Sequence, residues 1–161
     1  MPTTKRRSDT LDQVTAASIP ELKALLDSDD THLEHELQVR AEAIAEQHFG
    51  RRIYLRGLIE ISNICRNDCY YCGIRSTNER ITRYRLTADE VMLACARGYE
   101  IGFRTFVLQG GEDLYWRGER LLSLVRDIRS SYPECAITLS LGEMEYEEYE
   151  ALFRAGANRY L

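Results

Sequence analysis

Leu58-Ile-Glu-Ile-Ser-Asn-Ile-Cys65-Arg-Asn-Asp-Cys69-Tyr-Tyr-Cys72 is a short apolar run that breaks directly into three cysteines spaced C-x3-C-x2-C. The run Leu58–Ile61 predicts a β-strand, and the cysteines then lie in the loop that follows it. Downstream the same plan repeats. Thr87-Ala-Asp-Glu90 is a capping box that opens a helix carrying Val91, Met92, Ala94 and Cys95. Thr105–Leu108 predicts a second strand, ending in Gln109-Gly-Gly-Glu112. A helix is expected near 117–131, broken by Pro133, then a third strand over Ala136–Leu141 and a helix over Tyr146–Ala155. Asn158–Leu161 reads as the opening of a fourth strand.

Strand, loop, helix in repetition is the pattern of βα units in a parallel sheet. Right-handed crossovers place all strand C-termini on one side, where such sheets bind their ligands. The loops Cys65–Cys72, Gly110–Glu112 and Leu141–Glu143 are therefore expected to meet at one mouth. Three units and the start of a fourth do not close a barrel. The expected fold class is α/β: an incomplete (β/α) TIM-type barrel of about three to four units over residues 51–161. The chain is then expected to be the N-terminal portion of a longer protein.

Upstream the pattern is helical. Residues 1–10 are polar and read as a disordered leader. In the segment 11–50, Ser18-Ile-Pro-Glu21 opens a helix with an apolar stripe at Leu22, Leu25 and Leu26, and a second helix is expected over about 31–48, stopped by Gly50. Ile53-Tyr-Leu55 reads as a further short β-type run.

Composition narrows the function. The 161 residues carry 26 acidic and 21 basic side chains. Residues 51–90 alone are net positive, with 8 basic and 5 acidic residues, which favours an anionic group bound there. The basic residues are mixed with acidic ones and the chain as a whole is acidic, so this is not a nucleic-acid stripe, and no nucleic-acid partner is expected. No window of 18 apolar residues exists, so no membrane span is expected, and the start does not resemble a secretory signal. Five cysteines, an odd number, suit a reducing compartment, so the expected location is cytoplasmic.

Three thiolates within eight residues can wrap one inorganic core, and soft thiolates select iron–sulfur clusters, zinc or Cu(I). Structural zinc wants a fourth ligand. Cys95 and Cys135 read as core residues, and His32, His35 and His48 lie in the N-terminal helices. Three ligands on a four-iron cluster leave one iron open. Cys65, Cys69 and Cys72 are the candidate metal ligands; zinc with a remote fourth ligand remains an alternative. Gly110 and Gly111 permit close backbone approach to a ligand. Ser140 shares an inward strand face with Thr138 and is a ligand candidate, or else a satisfied core hydroxyl.

On these motifs the chain resembles the radical S-adenosylmethionine (SAM) superfamily. Glu60–Arg75, Arg83-Tyr-Arg-Leu-Thr87, Val107–Asp113, Ile137–Glu143 and Ala155–Leu161 are similar to the biotin-synthase-like branch, and within it to the FeFe-hydrogenase maturase family HydE. The resemblance implies a 4Fe-4S cluster on Cys65, Cys69 and Cys72, with SAM chelating the fourth iron. It implies that Glu112 bonds the SAM amino group, that the Tyr71 backbone faces the adenine, and that Ser140 contacts SAM or substrate. The implied activity is reductive cleavage of SAM to a 5′-deoxyadenosyl radical in maturation of the hydrogenase di-iron cofactor. It implies a small-molecule or organometallic substrate, an external one-electron donor and other hydrogenase maturases as partners. No side chain is assigned as a catalytic residue. Another biotin-synthase-like enzyme, such as a methylornithine synthase, and a non-catalytic metal-binding module are the alternatives.

Overall fold

The computed structural model describes residues 18–161. The expected leader, 1–10, and residues 11–17 lie outside the described residues. Contacts divide the chain after Ile53 into two compact units.

The first unit holds α1 (Ile19–Leu26) and α2 (Thr31–Phe49). Ser18 and Glu21 form the expected capping box on α1, with Pro20 in its first turn. Asp30 caps α2, accepting from the amides of His32 and Leu33 at 3.0 and 3.3 Å. No residue of either helix is buried. Ile53, Tyr54 and Leu55 form no strand. They are exposed, and β-type residues without a ladder partner or a covered face do not hold an extended pair.

The second unit contains β1 (Gly57–Ser62), α3 (Ala88–Glu100), β2 (Thr105–Gly110), a 3-10 turn (Leu114–Trp116), α4 (Glu119–Ser131), β3 (Ala136–Ser140), α5 (Tyr146–Ala155) and β4 (Arg159–Tyr160). The four strands form one sheet in the order β1-β2-β3-β4, and every pair is parallel. Each crossover steps one strand in the same direction. That is the winding of a TIM-type barrel; a doubly wound sheet would reverse its order. The helix expected near 117–131 begins later, at Glu119, because Asp113 caps a separate 3-10 turn and Gly118 stands between them.

Alternate strand residues face the helices. Ile59 and Ile61, Phe106 and Leu108, Ile137 and Leu139 pack with Val91 and Cys95 of α3 and with Leu121, Leu124, Val125 and Ile128 of α4. Burial pushes the Cys95 thiol up to about 12, with Cys135 nearby adding to the shift, so it stays protonated and behaves as a small hydrophobe. The other sheet face is more polar towards the strand C-termini. Glu60, Gln109 and Ser140 lie side by side across three strands, and Thr138 sits one row earlier, fully buried, with no hydrogen-bond partner for its hydroxyl. Ser140 thus occupies the expected face with Thr138.

Candidate metal centre

The three loops predicted to meet do meet, and glycine permits it. A Cβ on Gly111 would stand 2.3 Å from the Ile64 carbonyl oxygen and 2.7 Å from the Cys65 Cβ, so only glycine lets β2 exit against the cysteine loop. Gly110 pairs with Ser62 across a register slip in β1 between Glu60 and Ser62. Such a bulge ends the ladder and redirects the chain. The Glu112 amide then donates to Cys65 Sγ at 3.4 Å, and the Arg66 amide donates to the Glu112 carbonyl at 3.3 Å.

The third loop closes on the Glu112 carboxylate. Glu112 Oε2 accepts from Arg66 Nε at 2.8 Å, and Oε1 accepts from the Glu143 amide at 3.2 Å. Burial raises the Glu112 pKa, but the Arg66 guanidinium and the Glu143 amide outweigh it and hold the carboxyl below its usual range. Gly142 carries a φ of +84° and lies directly against the Glu112 side chain. Tyr160 of β4 donates its hydroxyl to the Gly142 carbonyl at 2.6 Å, which fixes the loop from beneath.

Asp113, one residue on, is the buried anchor of the site. It accepts from Arg85 through both oxygens at 2.6 and 2.7 Å, and from the Ser62 hydroxyl at 2.7 Å. The Arg85 guanidinium also stacks 4.4 Å from the Tyr115 ring centroid. These contacts tie the end of β1, the segment after the cysteine loop and the turn after β2 into one unit. Burial raises the Asp113 pKa, and the bonds from Arg85 and Ser62 more than reverse it. A lowered folded-state pKa stabilises the fold fully above the ordinary aspartate value of 3.8, and that contribution is lost as the pH falls through the folded-state value. Asp113→Asn is expected to cost about 2 kcal/mol at neutral pH and to flatten the acid limb of stability below pH ~4. Denaturant unfolding from pH 3 to 7 checks it; parallel curves for both proteins would refute it.

The cysteines are free, with Cys65 and Cys72 half-buried and Cys69 exposed. Among the described residues no three Cys, His, Asp or Glu side chains are gathered closely enough to hold one metal ion. A cluster takes each thiolate at a different iron and does not need such convergence. An amide already aimed at Cys65 Sγ is the kind of hydrogen bond that tunes cluster ligands. Three soft donors on one loop, with that amide, fit an iron–sulfur cluster. Tyr71 is almost fully exposed at the loop's tip.

The roles of Arg83, Arg85 and Asp113 are not evident from spacing alone. The alternation in Arg83-Tyr-Arg85 could have singled out the two arginines, but nothing in it reaches Asp113. Tyr84, between them, donates its hydroxyl to the Glu60 carbonyl at 3.0 Å.

A profile of the radical SAM superfamily matches residues 59–161. The chain is 38% identical over 140 residues to the [FeFe] hydrogenase maturase subunit HydE of Thermotoga maritima, covering 87% of this chain and 40% of that protein. It is 31% identical to a 3-methylornithine synthase of Methanosarcina acetivorans, covering 86% of this chain and 39% of that one. The crystal structure of methylornithine synthase (PylB) superposes with a TM-score of 0.81 at 28% identity, over 94% of this chain and 46% of that one. The chain therefore spans about two fifths of the length of these curated relatives.

Proposed function

The chain belongs to the radical SAM superfamily, an enzyme family, and from that membership we propose that it carries the cluster and part of the SAM site of a HydE-type hydrogenase maturase. The observation that carries this reading is the junction of the cysteine loop with an ionised, oriented glutamate: the Glu112 amide on Cys65 Sγ and the Glu112 carboxylate between Arg66 and Glu143. Cys65, Cys69 and Cys72 would hold a 4Fe-4S cluster as thiolates. When bound, the cluster supplies the electron that cleaves SAM reductively to methionine and a 5′-deoxyadenosyl radical.

The chain's own residues bind and orient. Glu112 accepts the ligand's ammonium, a charge-assisted bond worth roughly 1.5–3 kcal/mol, and shares its charge with Arg66. Gly110 and Gly111 bring the backbone close to the ligand, Tyr71 faces the adenine through its backbone, and Ser140 presents a hydroxyl from the polar sheet face. The substrate is a small or organometallic molecule, the electron comes from an external donor, and other hydrogenase maturases are partners. No helix among the described residues is long and apolar enough to cross a membrane, and the proposed location is cytoplasmic. The structural match to methylornithine synthase supports a second reading, another biotin-synthase-like radical SAM enzyme such as a methylornithine synthase.

Anaerobic reconstitution with iron and sulfide tests the proposal. The expected product is a brown protein whose electron paramagnetic resonance signal shifts on adding SAM. A colourless protein holding one zinc per chain would overturn it.

A further inference from the structure

Arg83 has no part in the reading above, yet its guanidinium is the most heavily used donor near the cysteine loop. One terminal nitrogen donates to the carbonyls of Asn63 at 2.6 Å and Ile74 at 2.8 Å. The other donates to the carbonyls of Arg75 at 2.6 Å and Asn78 at 3.2 Å. A guanidinium carries four terminal N–H groups in a planar fork, and here every one meets a backbone oxygen. Asn63 stands two residues before Cys65, and Ile74 stands two residues after Cys72. One side chain therefore closes the loop at both ends.

The bonds continue into the loop. In a trans peptide the N–H points away from the carbonyl of the same unit. The peptide whose oxygen Arg83 takes at Ile74 donates its N–H, that of Arg75, to the Cys72 carbonyl at 3.3 Å. The next peptide, bonded to Arg83 through the Arg75 oxygen, donates the Ser76 N–H to the Asn67 carbonyl at 2.8 Å. Within the loop, the preceding peptide separately donates the Cys72 amide to the Cys69 carbonyl at 3.0 Å. Hydrogen bonds in series polarise one another, and a cation at the head strengthens the whole chain. Arg83 is itself held reciprocally: the Asn63 side chain donates to the Thr82 carbonyl at 2.8 Å and accepts from the Tyr84 amide at 2.7 Å.

We propose that Arg83 is a positioning residue that pre-forms the cysteine loop through four backbone carbonyls, so that the cluster ligands are ordered before any cluster binds. The proposal rests on the ligand reading above for its purpose, but not for its test. A loop that is ordered beforehand does not charge its ordering entropy against cluster binding, so the anchor slows cluster loss.

The test compares the parent chain with Arg83→Lys and Arg83→Ala. Lysine keeps the charge but is a single point donor, and alanine removes both. In metal-free protein, hydrogen exchange at the amides of Cys72, Arg75 and Ser76 is expected to rise at least about tenfold in Arg83→Ala and less in Arg83→Lys. In reconstituted protein, cluster loss to a chelator is expected to accelerate in the same order, with a broadened paramagnetic signal. Exchange and loss within about twofold of the parent in both variants would overturn the proposal. So would loss of the cooperative unfolding transition in both, which would make Arg83 a residue of the global fold. If the chain takes no iron, the metal-free exchange still decides the anchor, and only the ligand assignment fails.

Discussion

Cys69→Ala is expected to abolish cluster binding in reconstituted protein, with no visible charge-transfer absorbance and no 5′-deoxyadenosine formed from SAM. Cys69 is the exposed member of the trio, so its removal leaves no cavity in the core, and the thermal midpoint of metal-free protein should move by less than about 2 °C. That separates it from a folding lesion. Its carbonyl accepts the Cys72 amide at 3.0 Å, and alanine keeps that bond. What alanine removes is one of three thiolates, and two do not retain a four-iron core against chelation. Cys95→Ala supplies the contrast. That thiol is buried in α3 and held protonated, so its loss should lower stability by about 1 kcal/mol and leave the cluster in place. Iron analysis and absorbance check both variants. Retained iron and SAM cleavage in Cys69→Ala would refute the ligand assignment.

The contrast between these two cysteines also shows what the chain's order of residues can and cannot disclose. Spacing distinguished them because both signals are local: three thiols within a loop, and one thiol on the apolar face of a helix. The capping box of Thr87 and Glu90 and the βα repeat of the parallel sheet followed from equally local patterns. Asp113 left no such trace. Its partners are Arg85, 28 positions away, and Ser62, 51 positions away, and no periodicity links three positions brought together only by parallel crossovers. Arg66 illustrates the opposite case. Its place inside the cysteine run suggests a role on the thiolates, but its side chain turns to Glu112 on another loop, because a buried carboxylate is the stronger claim on a cation. Ile53–Leu55 mislead for the converse reason: β propensity reports a fit to a half-buried pleated surface, and there the residues are exposed.

Gly142→Ala is expected to disturb both the loop after β3 and the Glu112 carboxylate. The position has a φ of +84°, where a side chain costs roughly 1–2 kcal/mol. The added Cβ would stand 1.9 Å from Glu112 Cγ and 2.6 Å from its Cδ. Those are not the free end of a flexible chain, because Arg66 and the Glu143 amide grip the two carboxylate oxygens. Either the loop after β3 retreats, against the bond from Tyr160 to the Gly142 carbonyl, or Glu112 leaves both partners. Leaving a largely buried carboxylate without them adds about 2 kcal/mol, for a total near 3–4 kcal/mol, or about 10 °C in thermal midpoint. SAM binding, read as the shift in the cluster's paramagnetic signal, should weaken at least about tenfold, since the loss of one charge-assisted bond exceeds 1.4 kcal/mol. Glu112→Gln is the necessary companion. It keeps the shape against Gly142 and removes only the charge, so it should weaken SAM to a similar degree with a much smaller loss of stability. A Gly142→Ala protein with an unchanged midpoint and an unchanged SAM response would mean that Glu112 is free to move, and the oriented carboxylate on which the ligand site rests would be disproved.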